Sequence, residues 1–180
     1  MDELFPTAQN LLDRALSHNA NDFECHRLLS AVNVLLGNYE LAVQHGRRAY
    51  EIVPNYPRIL SGYGEALLKA GKYQLGLEMI LKALELEPVP QGKISSDKRL
   101  DDAIFGQFLN ENYEECIELF QKIEIPEFRA WLLTAIASER LSLQFSESQW
   151  FQRGKAKYNN IDLKSEVKLQ PPIKRYYISF

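Results

Sequence analysis

The sequence has little of what protein chemistry usually requires. Only two of its 180 residues are cysteine, Cys25 and Cys116, and no CxxC occurs. That is too few for a disulfide framework. Both lie in helical patterns, where a cysteine reads as a small buried hydrophobe. Histidine is scarce too: His18, His26 and His45 fall on three predicted helices. Cys25 and His26 are adjacent, so on a helix their side chains diverge by about 100° and form no metal pair. His26 sits at a core position and reads as a packed neutral histidine. There is no GxGxxG, GxxxxGK[ST], GxSxG or HExxH. Nothing supports an enzyme, and no cofactor or metal is expected. No apolar run approaches the roughly 18 residues of a membrane span. The acidic, amphipathic start MDELFPTAQNLLDRAL lacks the positive charge and apolar core of a signal peptide. A cytoplasmic location and no membrane partner are expected.

The composition is that of an ordinary globular domain, 46% hydrophobic and 25% charged. A net charge of −3 argues against nonspecific nucleic-acid binding. The charge is uneven, however: residues 153–180 carry seven Lys or Arg and two Asp or Glu, on an otherwise acidic body. The acidic run Glu111, Glu114, Glu115 and Glu118 reads as a solvated helix face.

A phrase in the chain is written twice. GNYELAVQHGRRAYEIVP (37–54) returns as GKYQLGLEMILKALELEP (71–88), displaced by 34 residues. Gly37 meets Gly71, Tyr39 meets Tyr73, Ala42 meets Gly76, Ala49 meets Ala83 and Pro54 meets Pro88. Stepping back finds Ala8 and Ala15, the second half of an earlier copy. Stepping forward finds ENYEECIELFQKIEIP, now displaced by 40, with the extra residues in the loop VPQGKISSDKRL. Each copy holds two helical patterns, such as Leu60, Tyr63, Gly64 and Leu67 at i, i+3, i+4, i+7. Pro88 stops the second helix because proline cannot continue it. A fixed period in this range marks stacked helix pairs. The third copy carries Ile104 and Cys116 at its close-contact positions, which predicts a wider crossing.

These residues resemble the tetratricopeptide-repeat (TPR) family. The first-helix pattern reads His26, Leu29, Ser30, Asn33 and then Leu60, Tyr63, Gly64, Leu67. The second-helix pattern reads Ala42, Gly46, Ala49, Pro54 and then Gly76, Ile80, Ala83, Pro88. The resemblance implies an all-α fold, a right-handed α-solenoid of antiparallel helix pairs. The reading divides residues 1–158 into a half repeat (6–20), repeats at about 23–56, 57–90 and 97–126, and a degenerate copy (127–158) containing PEFRAWLLTAIASERL. Nine helices are expected, with Trp150 and Phe151 packed inward. Residues 159–180 form a basic tail.

In the family the first helices line a concave groove for peptides or partner helices. Carried over, its positions here are Glu24, Arg27, Ala31, Val34 and Leu35, then Arg58, Ser61, Gly62, Glu65, Leu68 and Lys69. The third copy adds Lys98, Asp101, Asp102, Phe105, Phe108 and Leu109, with an aromatic patch at Phe105 and Phe108. The subclass that clamps the terminal carboxylate of acidic tails is not matched: Ala31 and Gly62 replace its Asn residues and Asp102 its Arg. The resemblance implies a protein-interaction scaffold or adaptor with a protein or peptide partner and no nucleic acid. The alternatives are a bacterial secretion-type chaperone or the regulatory domain of a larger enzyme or sensor. The tail IKRYYISF could fold into the groove or mediate self-association.

Overall fold

The computed structural model describes residues 4–88, 95–123, 127–143 and 149–158. They form nine helices: α1 (Leu4–His18), α2 (Phe23–Leu35), α3 (Tyr39–Ile52), α4 (Pro57–Lys69), α5 (Tyr73–Leu86), α6 (Ser95–Leu109), α7 (Tyr113–Phe120), α8 (Phe128–Arg140) and α9 (Gln149–Tyr158). Each helix packs on the next, and each even-numbered helix also touches the following even-numbered one. The result is a right-handed α-solenoid of helix pairs. The side chains of Trp150 and Phe151, and the whole of the basic tail, lie outside the described residues.

The four turns inside the pairs share one geometry. The second residue past the first helix takes a left-handed backbone: Gly37 (φ 78°), Gly71 (82°), Glu111 (64°) and Ser142 (56°). The next residue reaches back to a carbonyl five positions earlier: Asn38 to Asn33 (2.8 Å), Lys72 to Leu67 (2.9 Å), Asn112 to Gln107 (3.0 Å) and Leu143 to Ser138 (2.9 Å). This is the Schellman closure, which satisfies carbonyls that the helix end leaves free. It sets α8 and α9 in the same series as the other pairs, although Glu111 and Ser142 strain a conformation that suits glycine. Glu111 is thus a turn residue, not part of an acidic helix face.

Within each pair the helices meet at positions twelve residues apart, and the chemistry differs each time. In the first, Ser30 Oγ donates to the Ala42 carbonyl at 2.9 Å. In the second, Gly64 and Gly76 meet backbone to backbone: a Cβ on Gly64 would lie 2.8 Å from the Gly76 carbonyl, and one on Gly76 2.9 Å from that of Gly64. In the third, Cys116 Sγ lies 3.5 Å from the Ile104 carbonyl. A side chain stands here where the second pair has none. Burial pushes the Cys116 thiol up to about 12, so it stays an inert filler.

Two apolar clusters result. Ala42, Val43, Tyr63, Ala66 and Leu67 form the smaller. The larger runs from Leu68 and Ile80 through Phe105, Phe108, Phe120 and Ile123 to Trp131 and Ala137. Burying each large side chain contributes about 1.5–3 kcal/mol. At the N-terminal end α1 has no buried residue. Ala42 and Ala49 are wholly buried, whereas their counterparts Ala8 and Ala15 are half-buried and exposed. Among the described residues no first helix covers α1.

Candidate interaction groove

Repeat arithmetic defines the inner stripe. Val34 of α2 packs against the cluster that holds Tyr63, Ala66 and Leu67 of α4, so that side of α2 faces the next first helix. His26, Leu29, Ser30 and Asn33 face inward. What remains is Glu24, Leu28, Ala31 and Leu35, which become Arg58, Gly62, Glu65 and Lys69 on α4 and Lys98, Asp102, Phe105 and Leu109 on α6.

The three versions of this stripe differ sharply. On α2 it is open and apolar: Leu28 is 37% and Leu35 65% exposed. Arg27 is bound to Glu24 through Nε–Oε2 at 2.8 Å. That hydrogen bond, ahead of the opposing effect of burial, holds the Glu24 carboxyl below its ordinary range. On α4 the stripe is half-open, with Arg58 exposed and Gly62, Glu65 and Lys69 half-buried. On α6 it is closed: Asp102, Phe105 and Leu109 are buried.

Charged side chains close it. Arg129 of α8 donates from Nε to Asp101 Oδ2 at 2.7 Å and pairs with both Asp101 and Asp102. Lys98 donates to Asp102 at 2.9 Å and to Glu65 at 3.2 Å. The ring of Phe105 lies beneath two cations, Lys69 Nζ at 5.3 Å and the Arg129 guanidinium at 4.8 Å from its centroid. Burial raises Asp102, but Arg129 and Lys98 outweigh it and hold that carboxyl low. For Asp101 burial wins over Arg129, and its carboxyl is raised. Its second oxygen, Oδ1, is buried without a hydrogen bond. Burial lowers the Lys69 ammonium, helped by the nearby Arg129 charge.

Two sequence-based expectations are therefore corrected. Phe105 and Phe108 are not an exposed aromatic patch; they are 1% and 0% exposed. Phe105 does share the stripe of Ala31 and Glu65, but long side chains from α4 and α8 cover it. Asp101 is paired with Arg129, Lys98 with Glu65 and Asp102, and Leu68 and Leu109 are core. Of the remaining candidates, Arg58, Glu65 and Lys69 line α4, Arg27 is tied to Glu24, and Val34 fills the seam between α2 and α4.

The histidines hold a second surprise. His26 and His45, nineteen residues apart, place their Nδ1 atoms 3.0 Å from each other. His26 Nε2 meets the Ala20 carbonyl at 3.1 Å. With neutral His26 donating to Ala20, its Nδ1 accepts from His45 Nδ1–H. Burial, then the neighbouring His26, lowers His45, while Asp13 opposes the shift. No group of three or more metal-ligating side chains occurs among the described residues. No helix among them is long and apolar enough to cross a membrane.

The paired helices, their shared turns and their inner stripe can now be set beside known structures. The chain is similar to MamA, with 15% identity, a TM-score of 0.72 and coverage of 90% of this chain and 91% of that one. MamA from Desulfovibrio magneticus matches at 19% identity and a TM-score of 0.72, over 88% of each chain. PilF of Pseudomonas aeruginosa matches at 15% identity and 0.66, over 88% of this chain and 71% of that one. The fold is the TPR fold. No family model and no curated protein matches the sequence. The TPR path is thus shared.

Proposed function

We propose that the chain is a non-catalytic protein-interaction scaffold, acting in the cytoplasm, that binds a peptide or partner helix along its inner face. The observation that carries this reading is the open stripe of Leu28, Ala31 and Leu35, with Leu35 65% exposed. Apolar side chains at i, i+3 and i+7 on a rigid helix suit an apolar segment of another protein. The similar backbone path in MamA and PilF, described as TPR proteins, supports a binding role. Nucleic acid is not the expected partner, and self-association through the basic tail stays part of the proposal.

A chaperone-type role is the second reading, favoured by the same exposed leucines. It requires the partner's segment to be strongly apolar, whereas α4 contributes Arg58, Glu65 and Lys69 to the face. The test is selection of peptides from a display library, followed by hydrogen exchange of the complex. Protection confined to α2 and α4 supports an inner-face binder. Protection confined to α3 and α5 contradicts it.

A further inference from the structure

The glycines inside helices fall into two classes. A Cβ added to Gly46, Gly64, Gly76, Gly106 or Gly154 would lie 3.1 Å or less from a neighbouring atom. At each of them a side chain would crowd a neighbour, most severely at Gly64 and Gly76, where it would meet backbone. At Gly62 such a Cβ would meet nothing within 4 Å. Gly62 lies in the middle of α4, away from any turn, where glycine destabilises a helix relative to alanine. The fold gives it no purpose. It lies on the inner stripe, at the repeat position that Leu28 holds on α2, and leaves a gap in the row of side chains there.

The charges around the gap have a sign. The acidic groups of the face are already bound, Glu24 to Arg27 and Glu65 to Lys98. Arg58 and Lys69, on the same stripe as Gly62, form no ion pair within 4 Å among the described residues, although Arg58 acts on the Glu24 carboxyl and Lys69 lies over the Phe105 ring with Glu65 and Asp102 nearby. Eleven residues of helix separate Arg58 from Lys69, about 16 Å. Lys69 is half-buried; burial first and then the like charge of Arg129 disfavour its ammonium, against Glu65 and Asp102.

We propose that the α2–α4 floor receives an acidic amphipathic helix of a partner protein. A bulky apolar side chain of that helix seats in the Gly62 gap, on the stripe that Leu28 shares, and its carboxylates meet Arg58 and Lys69. The proposal rests on the protein-binding role above and names its partner's chemistry. Close backbone approach is the use to which an unforced helical glycine is suited, and cations flanking an apolar floor select the charge of what lies on it.

Two synthetic helical peptides test it. They share one leucine stripe and differ only in carrying Glu or Lys at the two flanking positions; fluorescence anisotropy reads binding. The Glu peptide binds wild type at least about tenfold more tightly than the Lys peptide, and Lys69→Glu narrows or reverses that preference. Gly62→Leu weakens the Glu peptide by about tenfold or more. Gly62→Ala raises Tm by about 2–4 °C, since the site is open and alanine favours the helix. Equal binding of the two peptides, no binding of either, undiminished binding to Gly62→Leu, or a lower Tm for Gly62→Ala overturns the proposal. A library-selected peptide that binds and ignores Gly62→Leu overturns it while leaving the scaffold role standing. A library that yields no binder sinks the scaffold role as well.

Discussion

The two halves of the solenoid are joined by opposite means. In α4–α5 the helices approach because side chains are missing: Gly64 and Gly76 bring two backbones into contact. In α6–α8 they are tied by side chains that are present and charged, Arg129 between Asp101 and Asp102. The inner face differs as well. The stripe is open on α2 and half-open on α4. The ion cluster covers the same stripe on α6. One repeat architecture thus yields an open surface at one end and a closed one at the other.

The sharpest way to break this contrast is to remove Arg129. Both ion-paired carboxylates are at most 8% exposed, so Arg129→Met leaves Asp101 without its ion-pair partner and Asp102 with Lys98 alone. Breaking a buried pair in this way costs about 3–5 kcal/mol. Urea unfolding measures it, and a loss below about 1 kcal/mol would mean that the cluster does not hold α6 to α8. The matching change in the other half is Gly64→Ala, which forces a methyl against the Gly76 carbonyl and the Ile80 side chain. Overpacking of this kind costs about 1–3 kcal/mol. An unchanged midpoint would show that the backbones are not in contact.

The turns offer a smaller test with opposite signs. Gly37 and Gly71 have open space around them and a positive φ, so Gly37→Ala is expected to cost about 1 kcal/mol through backbone strain alone. Glu111, with φ 64°, is the converse: Glu111→Gly is expected to stabilise by a similar amount. Thermal melts of the two variants should move in opposite directions.

The smallest expected effect is pH-dependent. His45 sits below its ordinary value of 6.5 because of burial and then His26. As pH falls below about 6.5 the unfolded chain takes up that proton before the folded one does. His45 therefore makes stability fall with falling pH, and its contribution is complete above that value. His45→Gln should flatten this part of the profile; an unaltered slope would contradict the role given to the pair.

Local features made the fold legible, and long-range ones did not show in the sequence. Tyr39, Tyr73 and Tyr113 start second helices, Gly37 and Gly71 close turns, and Pro54 and Pro88 end helices, all through backbone rules that act over a few residues. The fourth pair was faint because its turn uses Ser142, a residue that does not announce a left-handed backbone. The stripe positions were legible from the period, yet their exposure was not. Phe105 is covered by Lys69 and Arg129, from two other helices and with no motif linking them. Asp101 and Arg129 lie 28 residues apart, and His26 and His45 nineteen. Nothing in a linear pattern couples such pairs. Gly62 carried a signal that could have been read: a glycine inside a helical pattern at a position where the period required no small residue.

The central claim is that the open half, not the closed one, meets the partner. Methyl NMR of the leucine-labelled chain, titrated with the Glu peptide, tests it most directly. Shift changes centred on Leu28 and Leu35, with Leu109 and Leu133 unmoved, are the expected result. Changes centred on Leu109 and Leu133, with Leu28 and Leu35 silent, would place binding on the ion-covered half and contradict it.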